Sequence, residues 1–208
     1  MLNRLKIAPL VLTLALGLGF ALPGVTARAE QAAPQAVIKS FYVVLLDVMQ
    51  NAGKLGFDGR YQKLKPAIEA AYNLPLMARL SVGPQWQSLT PAEQEQLSRA
   101  FAEFTVSTYA NRFDDYSGEK FEVQPDTAPA SGGVIVQSRL VKSNGEKVTL
   151  NYLMREADGR WQAIDVFLSG TISELATRRA EFTSILRRDG AQGLLNVLNR
   201  RISELKTS

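Results

Sequence analysis

The segment Trp161–Phe182, WQAIDVFLSGTISELATRRAEF, constrains this chain more than any other. It opens with the strand formers Ile164, Val166 and Phe167, breaks at Ser169-Gly170, and resumes with Ile172, Leu175, Ala176 and Phe182 at helical spacing. Trp161, Ile164, Val166, Phe167 and Leu168 put large apolar groups at both parities of the strand. A sheet with one wet face alternates apolar and polar residues, so this strand is expected to be covered twice. A core would lie on one side and a second apolar space on the other. Gly170 permits the sharp turn that lays the helix back toward the sheet.

The chain divides at Gly118, where the apolar period changes from 3.6 to 2. Before it, Val37, Phe41, Val44, Leu45 and Val48 form a stripe that predicts a helix from Pro34 to about Gln50, closed by Asn51-Ala52-Gly53. A second helix is expected to open at Asp58-Gly59, with Tyr61, Leu64, Ile68 and Tyr72 inward and a kink or restart at Pro66. A short helix over 75–80 comes next. Thr90-Pro91-Ala92-Glu93 is a capping box with proline at the first helical position. The helix it starts carries Leu97, Phe101, Phe104 and Thr108 on one face, completed by Tyr109 or Phe113, and ends by Gly118.

Beyond Gly118 the expected strands are 120–124, 134–142, 147–155 and 160–168, with 125–133 as a loop rich in turn formers. Ser143-Asn144-Gly145 and Asp158-Gly159 are the tight turns of an antiparallel meander. Val134, Val136 and Leu140 share a face of the second strand, as do Val148, Leu150, Tyr152 and Met154 on the third. Helices over 172–188, ending at Asp189-Gly190, and 191–205, with Leu194, Leu195, Leu198 and Ile202 inward, close the chain. This order specifies one α+β domain, a four-stranded antiparallel meander packed against N-terminal and C-terminal helices.

Residues 1–29 read as a secretory signal peptide. Arg4 and Lys6 precede a 16-residue apolar run, Ile7 to Leu22, and Ala27-Arg28-Ala29 has the form of a cleavage site. The run is short for a membrane span. Losing the three cations of this leader takes the net charge from +4 to +1 for the domain at 30–208, so no nucleic-acid partner is implied. Cysteine and histidine are absent. Thiol nucleophiles, imidazole bases, Cys/His metal sites and the common hydrolase triads are thereby excluded. With no Gly-rich phosphate loop and no metal-ligand spacing, no cofactor and no metal is expected. Asp165 is the acid that stands out, because a carboxylate in an apolar strand must be paired or shift its pKa. Arg178 and Arg179 are its expected partners; the alternative is a general base in a cone-shaped α+β enzyme.

The D-V-x-x-x-G of Asp165–Gly170, followed by Arg179-Ala180-Glu181-Phe182, resembles the MlaC or toluene-tolerance family of periplasmic lipid carriers. Tyr109-Ala110 and Tyr116-Ser117-Gly118-Glu119 match the family's pattern further upstream, and the form of 170–182 is closest to its hopanoid-associated branch, HpnM. The resemblance spans about Leu74 to Leu205. It implies a non-enzymatic shuttle for a hopanoid or phospholipid between inner and outer membranes, with membrane-bound transporter components as partners and transient membrane contact. It implies that Phe41, Val44, Val48, Leu76, Leu80, Trp86, Phe101, Phe104, Leu150, Tyr152, Met154, Val166 and Leu168 line an enclosed apolar cavity; a polar headgroup can stay in water at its mouth, where Arg79 or Lys142 is the expectation from the residues. From the residues alone, the same side chains are equally those of a packed core, which leaves open a periplasmic adaptor that binds no lipid. An exposed acyl chain costs roughly 0.8 kcal/mol per CH₂, on the order of 12 kcal/mol for sixteen carbons, so a shuttle must cover its cargo.

Overall fold

In the computed structural model, which describes residues 33–207, Pro34 occupies the first turn of α1 (Pro34–Gln50), where a missing N–H breaks no bond. The expected leader lies outside the described residues. Helix α1 buries Ile38, Phe41, Tyr42, Leu45, Val48 and Met49, while Val44 stays half-buried at the side of the stripe. Helix α2 (Ala52–Ala71) begins at Ala52 instead of Asp58, and its break is Gly56 (φ 59°, ψ −177°), a backbone region that belongs almost to glycine alone. Pro66 lies within α2 on its exposed face, and no non-helical residue accompanies it there. The helix therefore does not restart at Pro66, and its backbone break lies at Gly56. Asn73 caps α3 (Leu74–Val82), and a 3-10 helix, Gly83–Ser88, leads to α4 (Pro91–Arg112). The capping box is formed: Thr90 Oγ1 accepts from Glu93 N–H at 3.3 Å, and Glu93 accepts from Thr90 N–H at 2.8 Å.

The strands are β1 (Lys120–Ala130), β2 (Gly133–Val141), β3 (Lys147–Ala157), β4 (Arg160–Leu168) and β5 (Ile172–Ser173). They form one antiparallel sheet in the order β1-β2-β3-β4-β5. Three details differ from the expected meander of four. Strand β1 continues through 125–130, because an edge strand tolerates proline and the register shifts between Val123 and Thr127 around Pro125. Ile172 pairs with Leu168 as part of β5 and is 55% exposed, so it is not an inward helical residue. The terminal helices are one element, α5 (Glu174–Thr207), bent at Gly190 without an intervening loop.

The covering of β4 also differs from the expectation, although Phe167, opposite Asn151, stays half-buried on the other face. Met154 pairs with Ala163 but Tyr152 with Val166, so the register shifts by one and Ile164 is the extra residue of a β-bulge. Directly opposed residues share a face. Trp161, Ala163, Val166 and Leu168 therefore all point to the same side as Leu150, Tyr152 and Met154. The core and the apolar space next to it lie along one face of the sheet. Helices α1 to α5 complete this core, burying Ile38, Leu64, Ile68, Leu97, Phe182, Leu194 and Leu198.

Candidate functional site

A cleft of about 160 Å³ opens between α4, the first turns of α5 and the inner face of β3 and β4. Helix α4 contributes Phe101, Phe104, Thr105, Thr108, Tyr109 and Arg112, one stripe recurring every turn, and Phe113 continues it. The sheet contributes two opposed pairs, Leu150 with Leu168 and Tyr152 with Val166. Leu45, Tyr72 and Met77 close the inner end, and Glu174, Leu175 and Arg178 of α5 form the remaining side. The Thr105 and Thr108 hydroxyls donate to the Phe101 and Phe104 carbonyls at 2.8 Å, so neither leaves a free donor on the wall.

Three tyrosines of the cleft, Tyr72, Tyr109 and Tyr152, form a cluster with Tyr42. Tyr42 donates to the Tyr152 hydroxyl at 3.0 Å and shares a hydrogen bond of 2.6 Å with Ser138; Tyr72 and Tyr109 are bonded hydroxyl to hydroxyl. Edge-to-face contacts of Phe41 with Tyr72 and Tyr109, both at 5.5 Å, fix the rings. Burial drives the phenol pKa up at all four, well above the ordinary value for Tyr72 and Tyr152. Strand β4 places Tyr72: Asn73 N–H donates to Ala163 C=O at 2.9 Å, and the Gln162 amide donates to Tyr72 C=O at 3.2 Å.

Of the residues expected to line a cavity, Phe101, Phe104, Leu150, Tyr152, Val166 and Leu168 meet in this cleft. Val48 and Met154 do not reach it; both are fully buried in the helix–sheet core. Phe41 and Val44 border a separate shallow hollow between α1 and α2. Leu76, Leu80 and Trp86 are half-buried outside the cleft, on α3 and the 3-10 helix. Arg79 and Lys142 do not line it either, and Lys142 is paired with Glu146 at 2.9 Å. The cations of the cleft are Arg112 and Arg178. Sequence reading passed over them because a charged residue on a helix looks like a solvated one; the signal was their place on the stripe that carries Phe101 and Phe104 and on the turn after Leu175.

Asp165 makes no ion pair with Arg178 or Arg179. Its Oδ1 accepts from Val166 N–H at 2.7 Å and Leu175 N–H at 3.0 Å, and its Oδ2 accepts from the Ser173 hydroxyl at 2.6 Å. Ser173 Oγ in turn accepts from Ala176 N–H at 2.9 Å, so the two residues cap the start of α5 together. Arg179 is spent on the Leu80 carbonyl at 2.8 Å. Arg178 stands over the Phe104 ring, 4.7 Å from its centroid, with Glu174 and Glu181 at 3.9 and 3.8 Å. Burial lowers the Arg178 pKa, and the two glutamates oppose that shift. Among the described residues no group of acids has an arrangement fit to hold a metal ion.

The model of the MlaC protein family matches residues 42–200. The chain belongs to the MlaC family. It is 20% identical over 164 residues to the intermembrane phospholipid transport system binding protein MlaC of Haemophilus influenzae, covering 76% of each chain. Its fold is that of a phospholipid-binding protein from Ralstonia solanacearum solved in complex with a phospholipid, with a TM-score of 0.73 and 23% identity over 84% of this chain and 99% of that one.

Proposed function

We propose that this MlaC-family chain is a non-enzymatic lipid carrier that holds the chain of a membrane lipid in the cleft between α4, α5 and the sheet. The observation that carries the reading is the chemistry of that cleft: apolar and aromatic walls, back-bonded threonines, phenols kept neutral by burial, and one cation each from α4 and α5. Such walls solvate hydrocarbon and offer no nucleophile. Asp165, the acid considered as a general base, has both oxygens engaged at the α5 cap and does not line the cleft. Phospholipid is the favoured cargo, supported by the likeness to the Haemophilus and Ralstonia proteins. The form of Gly170–Phe182 supports a hopanoid as the second candidate. Residues 1–29 support export to the periplasm and a passage between the two membranes, with membrane-bound transporter components supplying and receiving the lipid. No described helix is long and apolar enough to cross a membrane.

The test is organic extraction and mass spectrometry of residues 30–208 purified without detergent from two hosts, one making hopanoids and one not. A stoichiometric phospholipid from both hosts is the expected result; a hopanoid from the first alone would reassign the cargo. Lipid-free protein from both hosts, together with no transfer between vesicles, would favour the adaptor and sink the carrier.

A further inference from the structure

We infer that Arg178, with Arg112 on the same cleft, forms an anion site that receives the phosphodiester of the cargo's headgroup. The inference rests on the lipid-carrier reading and adds to it a headgroup chemistry.

Arg178 has a geometry that its protein neighbours do not satisfy. A guanidinium carries five N–H donors in a rigid fork, yet Arg178 makes no hydrogen bond to any described residue. Its side chain is only 21% exposed, so water reaches little of it. The nearest carboxylate oxygens, at 3.8 and 3.9 Å, stand well beyond the roughly 2.7–2.9 Å of a charge-assisted N–H···O bond. The Phe104 ring, 4.7 Å away, supports one face of the guanidinium and leaves its edge for an acceptor.

The charges around it are also unbalanced. Glu181 is hydrogen-bonded by Arg201, which leaves Glu174 as the acid available to Arg178. Arg112, exposed in the last turn of α4, pairs with no carboxylate among the described residues. Arg112, Arg178 and Arg201 thus face Glu174 and Glu181, and Glu204, which also acts on Arg201, is paired with Arg200, so an excess of one positive charge remains beside apolar walls. A lipid phosphodiester brings one negative charge attached to hydrocarbon, which matches both parts. A diacylglycerol, or a sterol-like lipid with a neutral head, matches only the walls.

The test measures binding of pyrene-labelled phosphatidylglycerol and of the equally labelled diacylglycerol to wild type, Arg178→Gln, Arg178→Lys and Arg112→Gln, with melting temperatures alongside. Wild type is expected to prefer the phospholipid by about 10-fold or more, the range that charge-assisted hydrogen bonds supply. Arg178→Gln should remove that preference, with phospholipid losing far more affinity than diacylglycerol, a ratio that a purely structural role would not move. Arg178→Lys should keep part of it, and Arg112→Gln should weaken phospholipid binding by a few-fold. Should Arg178→Gln fail to fold, Arg112→Gln and the loss of preference at high salt decide the matter. Equal preference in wild type and both glutamine variants would overturn the headgroup site while leaving the carrier intact. Binding of neither lipid would overturn the carrier and this site with it. Inorganic phosphate that competes with phosphatidylglycerol at millimolar concentration supports the site; phosphate bound tightly without affecting either lipid would make it a free-phosphate site and overturn the lipid assignment.

Discussion

Two oxygens of Asp165 bring three donors together, from its own strand, from Ser173 and from the first turn of α5. Asp165→Asn keeps one acceptor and turns a donor toward the others, so it is expected to destabilise by about 1.5–3 kcal/mol. No buried guanidinium is left uncompensated, which is why the cost falls below that of a broken buried ion pair, roughly 3–5 kcal/mol. Urea unfolding midpoints of wild type and variant check this, and a loss above that range would mean that Asp165 has a charged partner. The tyrosines give a pH prediction. Tyr42, Tyr72, Tyr109 and Tyr152, four of the six in the chain, have pKa values raised above the ordinary value near 10. Unfolding lets these phenols ionise at about pH 10, whereas the folded chain keeps them protonated, so the unfolded state binds fewer protons above that pH. Stability from this source is complete below pH 10 and falls as pH rises beyond it. Absorbance titration near 295 nm should show the four ionising only as the fold is lost; a full titration at pH 10 in folded protein would contradict the buried cluster.

At the scale of elements, the helix junctions test how much a single backbone position contributes. Gly190 bends α5 at φ 66° and ψ −172°, and a Cβ added there would meet no atom within 4 Å. Gly190→Ala therefore isolates backbone strain and should cost about 1–3 kcal/mol. Gly53, with no positive φ and equally open space, is the control, and Gly53→Ala should stabilise by about 0.4–1 kcal/mol. Equal effects in thermal unfolding would show that α5 can straighten. The same elements show what the sequence made legible. Capping box, tight turns and the break at Gly190 are local chemistry, and each is where the residues place it. The bulge at Ile164 is not local: nothing in WQAIDVFL marks which residue the partner strand will skip, so apolar groups at both parities looked like two faces. The length of β1 was hidden for a related reason, since Pro125 ends a central strand but is harmless at an edge, and edge position is a property of the whole sheet. Of the seventeen residues that line the cleft, six followed from the expected cavity. Its cations did not, because Arg112 and Arg178 acquire their role only when α4 and α5 are brought together.

For the molecule as a whole the decisive quantity is volume. A cleft of about 160 Å³ is close to the size that admits a single benzene ring, about 150 Å³ in an apolar cavity. It is below the roughly 300–1,000 Å³ of ordinary ligand pockets, so a lipid chain enters only if a wall retreats. The first turns of α5 are the wall expected to give, because from Glu174 to Glu181 no residue is fully buried, whereas Phe182, Ile185 and Leu186 anchor the next two turns. Val136, Tyr152 and Val166 form one row across β2, β3 and β4. The row separates cleft from core: Val166 lines the cleft, and Val136 is sealed in the packed interior. Val136→Trp should overpack the core and destabilise by about 1–3 kcal/mol or more. Val166→Trp should leave the melting temperature nearly unchanged, since its ring fills existing space. In wild type, phospholipid at 100 times its Kd should raise stability by about 2.7 kcal/mol through binding to the folded state alone. Val166→Trp should lose that gain, whereas Val136→Trp, where still folded, should retain it. Lipid-induced stabilisation of Val166→Trp equal to that of wild type would place the cargo somewhere other than this cleft.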